Sequence, residues 1–152
     1  MAKTEHVKVV FELPEEQEGY PPVGSERLWA VPQSEGNSFR VDNIPFYARG
    51  VSSGDVVRAT LNQEGELIFQ EVVKPSGNST FRLYVFDRAQ VQQIRDDLRA
   101  MGCPSELSDI PNLIAVEVPA SQPIDQFLDY IVQADETGSL EYQEAALRHT
   151  LP

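Results

Sequence analysis

Tyr20, Trp29, Phe46, Tyr47, Arg49 and Asp55 place aromatic rings, a cation and a carboxylate in and beside the loops of the first half of the chain. Aromatic walls with a few convergent polar groups are what a small organic ligand needs. Asp125, Asp129 and Glu136 form a second set, falling at i, i+4 and i+11 in the second half. On a helix that spacing puts three carboxylates near one face, suited to arginine and lysine side chains of a basic protein. Both sets also have a plain structural reading. Turn formers such as Pro45, Gly50 and Gly54 explain most of Asn43–Val57 as a corner, and charged helix faces are usually only solvated.

Catalytic chemistry is harder to assemble. His6 and His149, the two histidines, stand near opposite ends of the chain, and the single cysteine, Cys103, follows a glycine expected to end a helix rather than opening one. Its thiolate gains nothing from a helix N-terminus there. No phosphate-cradling glycine pattern, nucleophile elbow or spaced metal-ligand set is present, so no catalytic residue, metal or cofactor is assigned. An enzyme using His149, Asp55 or Tyr47 ranks behind the two binding readings.

Charge is the strongest statement of the composition. The 152 residues carry 24 acidic and 12 basic side chains, a net of −12, which repels a phosphate backbone. From Ala100 to Leu147 there is no Lys or Arg. The expected partner is therefore a basic protein, with no direct nucleic-acid contact. A lone cysteine excludes an internal disulfide, and no apolar run approaches the ~20 residues of a membrane span. The N-terminus lacks a signal-peptide core, which makes the cytoplasm the expected compartment and leaves the sequon Asn78-Ser79-Thr80 unglycosylated.

These residues must be positioned by elements of two kinds. In residues 6–13, Val7, Val9, Phe11 and Leu13 alternate with more polar positions, as in a half-buried strand. Segments 27–31 and 39–43 flank a polar turn with Gly36, and 56–61 and 67–73 flank another ending in Gly65. Five strands in about seventy residues predict a small antiparallel β-barrel over 5–75, SH3-like or related. Gly19-Tyr20-Pro21-Pro22 reads as an extended, polyproline-like loop.

After the turn formers 75–79 the period changes. Phe81–Phe86 is strand-like, and Asp87 is placed to cap a helix bearing Val91, Ile94, Leu98 and Met101, with Gly102 ending it. Residues 104–107 and 113–118 form a hairpin. A second helix after Ser121 carries Ile124, Phe127, Leu128 and Ile131, and Gly138 closes it before a strand at 140–145. The order β-α-β-β-α-β over 79–150 predicts a ferredoxin-like α+β module with both helices on one sheet face. The other face is left for the barrel, a partner or a second copy in a homodimer to cover.

The series His6-Val7-Lys8-Val9, Gly19-Tyr20-Pro21-Pro22, Arg27-Leu28-Trp29-Ala30, Val41-Asp42-Asn43-Ile44-Pro45-Phe46-Tyr47-Ala48-Arg49-Gly50-Val51, Gly54-Asp55-Val56-Val57 and Ser76-Gly77-Asn78-Ser79-Thr80 resembles the bacterial domain of unknown function 4265. The likeness covers nearly the whole chain, its ending Ala146-Leu147-Arg148-His149 included. It implies a bacterial, cytoplasmic protein in two parts, and it carries no reaction or catalytic residue to transfer.

Overall fold

The computed structural model describes residues 5–16 and 19–151. The chain is mixed α+β and divides into two compact units, Met1–Ser76 and Gly77–Pro152. Among the described residues there are two α-helices.

The first unit holds β1 (Val7–Glu12), β2 (Ser25–Pro32), β3 (Ser38–Val41), β4 (Val56–Leu61) and β5 (Leu67–Lys74). Successive strands pair antiparallel, and β1 returns to meet β5 in parallel through Val9↔Leu67 and Val10↔Ile68. That last pairing gives each of the five strands a neighbour on both sides, so none presents an unpaired ladder along its whole length. Alternation decides what is enclosed. Val9, Phe11, Leu28, Ala30, Phe39, Val41, Val57 and Ala59 face one buried cluster, with the Phe11 and Phe69 rings stacked at 4.6 Å. Full burial of each larger side chain is worth about 1.5–3 kcal/mol.

Local chemistry turns the chain between these strands. Asn62 accepts the amides of Glu64 and Glu66 at its side-chain oxygen, at 3.0 and 2.8 Å, folding the β4–β5 connection by an Asx turn. The long corner from Asp42 to Asp55 is closed at its base, where Val41 N–H donates to Asp55 O at 2.8 Å and Gly54 N–H to Val41 O at 2.7 Å. Gly54 has φ +87°, a conformation that side-chain-bearing residues rarely adopt. Residues 21–24 bend instead of running extended, and the Tyr20–Pro21 peptide is cis.

The second unit holds β6 (Ser79–Val85), a 3₁₀ turn (Arg88–Gln90), α1 (Val91–Ala100), β7 (Ser105–Leu107), β8 (Leu113–Val118), α2 (Asp125–Glu136) and β9 (Leu140–Ala146). The sheet order is β7-β8-β6-β9, antiparallel at each pairing. Both helices pack on one face. Ile94 and Leu98 of α1 and Phe127 and Ile131 of α2 share a core with Phe81, Leu83 and Val85 of β6.

Asp87 does cap, its carboxylate accepting Ala89 N–H at 3.0 Å, but it caps the 3₁₀ turn that leads into α1. The second helix begins at Asp125, with no side-chain cap from Ser121.

The sheet face opposite the helices is not open throughout, because Thr80, Arg82 and Ala115 at its centre are buried. Tyr84, toward its far end, is exposed, as is Phe86 just beyond the strand.

Candidate functional site

Two carboxylates build the corner that carries the aromatic residues. Glu26, on β2, reaches across to three consecutive amides: Phe46 N–H donates to its Oε2 at 2.7 Å, and Tyr47 and Ala48 donate to its Oε1 at 3.0 and 2.9 Å. Converging backbone N–H groups make a concavity that attracts an anion, and here the chain supplies the anion itself. Asp55 is fully buried, at 0% exposure, and accepts Ser52 N–H at 2.9 Å and Ser76 N–H at 2.8 Å. It anchors backbone and has no surface to offer a ligand, which removes it from the candidate ligand set.

The remaining aromatic candidates separate. Tyr20 and Tyr47 meet edge to face, their ring centroids 6.2 Å apart, and the Arg49 guanidinium pairs with Glu16. Tyr47 and Arg49 line a cleft of about 170 Å³ with Phe11, Leu13, Pro14 and Phe69. Phe46 and Trp29 do not line it. Trp29 is 44% exposed and belongs to another cluster, where the Lys8 ammonium lies 4.3 Å from its ring centroid and the His6 ring meets it edge-on. His6 Nε2 is 2.7 Å from Asp42 Oδ2 in the same cluster. The cleft is smaller than the ~300 Å³ at which drug-sized sites begin, and its size suits one ring or one aliphatic side chain.

In the second unit, Asp125, Asp129 and Glu136 all lie exposed on α2, as does the apolar Val132, 38% exposed, between them. Asp135 and Glu141 are also exposed. Among the described residues none of these five carboxylates is in an ion pair or a side-chain hydrogen bond. With no Lys or Arg in α2 or β9, their field is uncompensated locally.

Ser79 and His149 come together unexpectedly. The Ser79 hydroxyl oxygen accepts the amides of Arg148 and His149 at 2.8 and 3.1 Å and lies 2.7 Å from His149 Nδ1. His149 Nε2 lies 3.0 Å from Pro119 O and 2.9 Å from Gln122 O. Two carbonyls require a proton on Nε2, so in the neutral ring Nδ1 accepts and the serine hydroxyl donates to it. A serine beside a histidine can be a nucleophile with its base. This serine is fully buried, and the imidazole face that would receive a substrate proton is turned to carbonyls. The pair is a clasp that ties residues 148–149 to β6 and to the 119–122 turn.

Cys103 is equally unsuited to attack. Burial first, and then the Glu117 charge, push its thiol up to about 11. Among the described residues no group of three or more His, Cys, Asp or Glu could hold a metal, and no helix is long and apolar enough to cross a membrane.

Sequence reasoning missed Glu26, His6 with Asp42, and Ser79 with His149. Each partner lies 20 or more positions away in the chain. No local spacing signals such pairs; strand register makes them.

The family model of a domain of unknown function, DUF4265, matches residues 26–142. No curated protein matches the chain. A solved structure of a hypothetical protein from Neisseria gonorrhoeae is similar with a TM-score of 0.78 over 99% of each chain, at 20% sequence identity. At that identity the likeness speaks for the fold alone.

Proposed function

Given that the chain belongs to the DUF4265 family of unknown function, we propose from its physical chemistry that it is a non-enzymatic, acidic protein-binding protein. It acts as a regulator or immunity-type inhibitor of a basic partner, such as a nuclease or toxin. The observation that carries this reading is the set of exposed, locally uncompensated carboxylates Asp125, Asp129, Asp135, Glu136 and Glu141, with Val132 among them. Proteins that hold nucleic acid present Lys and Arg, and an opposing acidic surface steers association with them and competes for those cations. The compartment proposed is the bacterial cytoplasm. We read the first unit as an SH3-like or related barrel, because its five pairings close. The sheet order β7-β8-β6-β9 with both helices on one face supports a ferredoxin-like second unit.

Affinity capture from bacterial lysate at moderate salt tests the reading. The wild-type chain is expected to retain a basic protein that elutes with salt, and the Asp125→Lys/Asp129→Lys variant is expected to lose it while keeping its melting temperature. Recovery of no salt-sensitive partner, or equal recovery by the variant, refutes the reading.

A second reading rests on the cleft. With Phe11, Tyr47 and Phe69 in its walls and the Arg49–Glu16 pair at its lining, it is suited to a small apolar or aromatic group. A thermal-shift screen in which Tyr47→Ala abolishes a hit favours it.

A further inference from the structure

Tyr84 stands toward the far end of the sheet face opposite the helices and Phe86 just beyond the strand, 43% and 51% exposed. Their rings meet edge to face, 5.8 Å between centroids at 70°. The backbone beneath them is held on both sides. Phe86 N–H donates to Ser139 O at 3.1 Å, and the Asn112 carboxamide donates to Val85 O at 2.6 Å and to Phe86 O at 3.4 Å. The rings are thus presented to solvent on a fixed frame, which spares a partner part of the ordering cost.

Register supplies the chemistry beside them. Tyr84 lies opposite Glu141 of β9, so ring and carboxylate are cross-strand neighbours on one face. Glu141 is exposed and, among the described residues, in no ion pair. An aromatic face beside a free carboxylate fits a guanidinium, which is planar, stacks on the ring and forks onto the carboxylate. An ammonium has the charge but not the plane. Self-association is disfavoured as the use of this patch, because each copy carries −12.

We infer that Tyr84, Phe86 and Glu141 form an arginine-reading site, the aromatic anchor by which the acidic surface engages a basic protein. This inference rests on the binding role proposed above, and it adds the side chain recognised and the residues that recognise it.

Oligo-arginine and oligo-lysine peptides of equal length, titrated calorimetrically into the whole protein at low salt, test it. The wild type is expected to bind oligo-arginine about fivefold more tightly, the size of a cation–π contact. The Tyr84→Ala/Phe86→Ala variant alters only exposed rings. It is expected to keep its melting temperature and its affinity for oligo-lysine while losing the preference. Asp125→Asn/Asp129→Asn is expected to weaken both peptides alike and keep the preference. Equal affinities in the wild type, or a preference that survives removal of both rings, overturn the arginine site and leave the acidic-surface reading standing. If neither peptide binds, that reading fails too.

Discussion

Removal of the Glu26 carboxylate should loosen the corner that carries Tyr47. Three amides converge on it at 2.7, 3.0 and 2.9 Å. A hydrogen bond to a charged group contributes about 1.5–3 kcal/mol net, so a plain sum would reach roughly 5–9 kcal/mol. That overstates the loss, because the three amides differ in access to water. Phe46 is half-buried and its N–H can be rehydrated, whereas Tyr47 and Ala48 are buried and theirs cannot. Loss of the carboxylate acceptor for two buried donors, at about 1–3 kcal/mol each, gives an expected loss of ~2–6 kcal/mol for Glu26→Ala, a large share of a typical 5–15 kcal/mol domain stability.

Glu26→Gln keeps an acceptor oxygen for Tyr47 and Ala48 but turns an NH₂ toward Phe46 N–H. Its expected loss is about 1–2 kcal/mol. Urea unfolding followed by Trp29 fluorescence reads this unit selectively, since Trp29 is the chain's one tryptophan and lies in Met1–Ser76. Amide exchange at Tyr47 and Ala48 should accelerate in parallel. An alanine variant within about 0.5 kcal/mol of wild type, with exchange at those amides unchanged, would refute the claim that one carboxylate organises the corner.

Other perturbations probe the second unit. His149→Ala leaves the buried Ser79 O–H without its acceptor and removes the ring's link to Pro119 O and Gln122 O, with an expected loss of about 1–3 kcal/mol by thermal or urea unfolding; a negligible loss would mean the clasp is incidental. Cys103 should resist thiol reagents at neutral pH in the folded protein and react on unfolding. Its thiol titrates near 11 when folded against about 9 ordinarily, so the folded state holds the proton longer. Its contribution to stability is therefore complete below about pH 9 and is lost as pH rises to about 11. The difference in stability between wild type and Cys103→Ala should narrow across that window, and a constant difference would contradict the burial argument.

The two sequence-derived site sets fared differently for a physical reason. Asp125, Asp129 and Glu136 lie along α2 as their spacing demanded, because the face shared by positions four, seven and eleven apart is set by the helix itself. The first-unit set depended on loops meeting, and those loops sort by strand register. Tyr20, Tyr47 and Arg49 converge beside the cleft, whereas Trp29 follows β2 to another surface and Asp55 is buried as a backbone anchor. An acidic residue next to a glycine in a turn looks the same in sequence whether it greets solvent or caps buried amides.

What the amino-acid order determined on its own is local. Alternating apolar residues made the strands, and β4 at Val56–Leu61 and β8 at Leu113–Val118 lie where that alternation put them. Asp87 and Gly102 bracket the turn and helix between them, and the gap in basic residues made the second unit acidic. Tertiary structure alone decided the parallel return of β1 to β5, the reach of Glu26 to Phe46–Ala48, the Ser79–His149 clasp and the exposure of Tyr84 and Phe86 beside Glu141. Periodicity reports which face of an element is apolar. It carries no information on which distant residue arrives opposite that face, since register and packing settle that only once the chain has closed on itself.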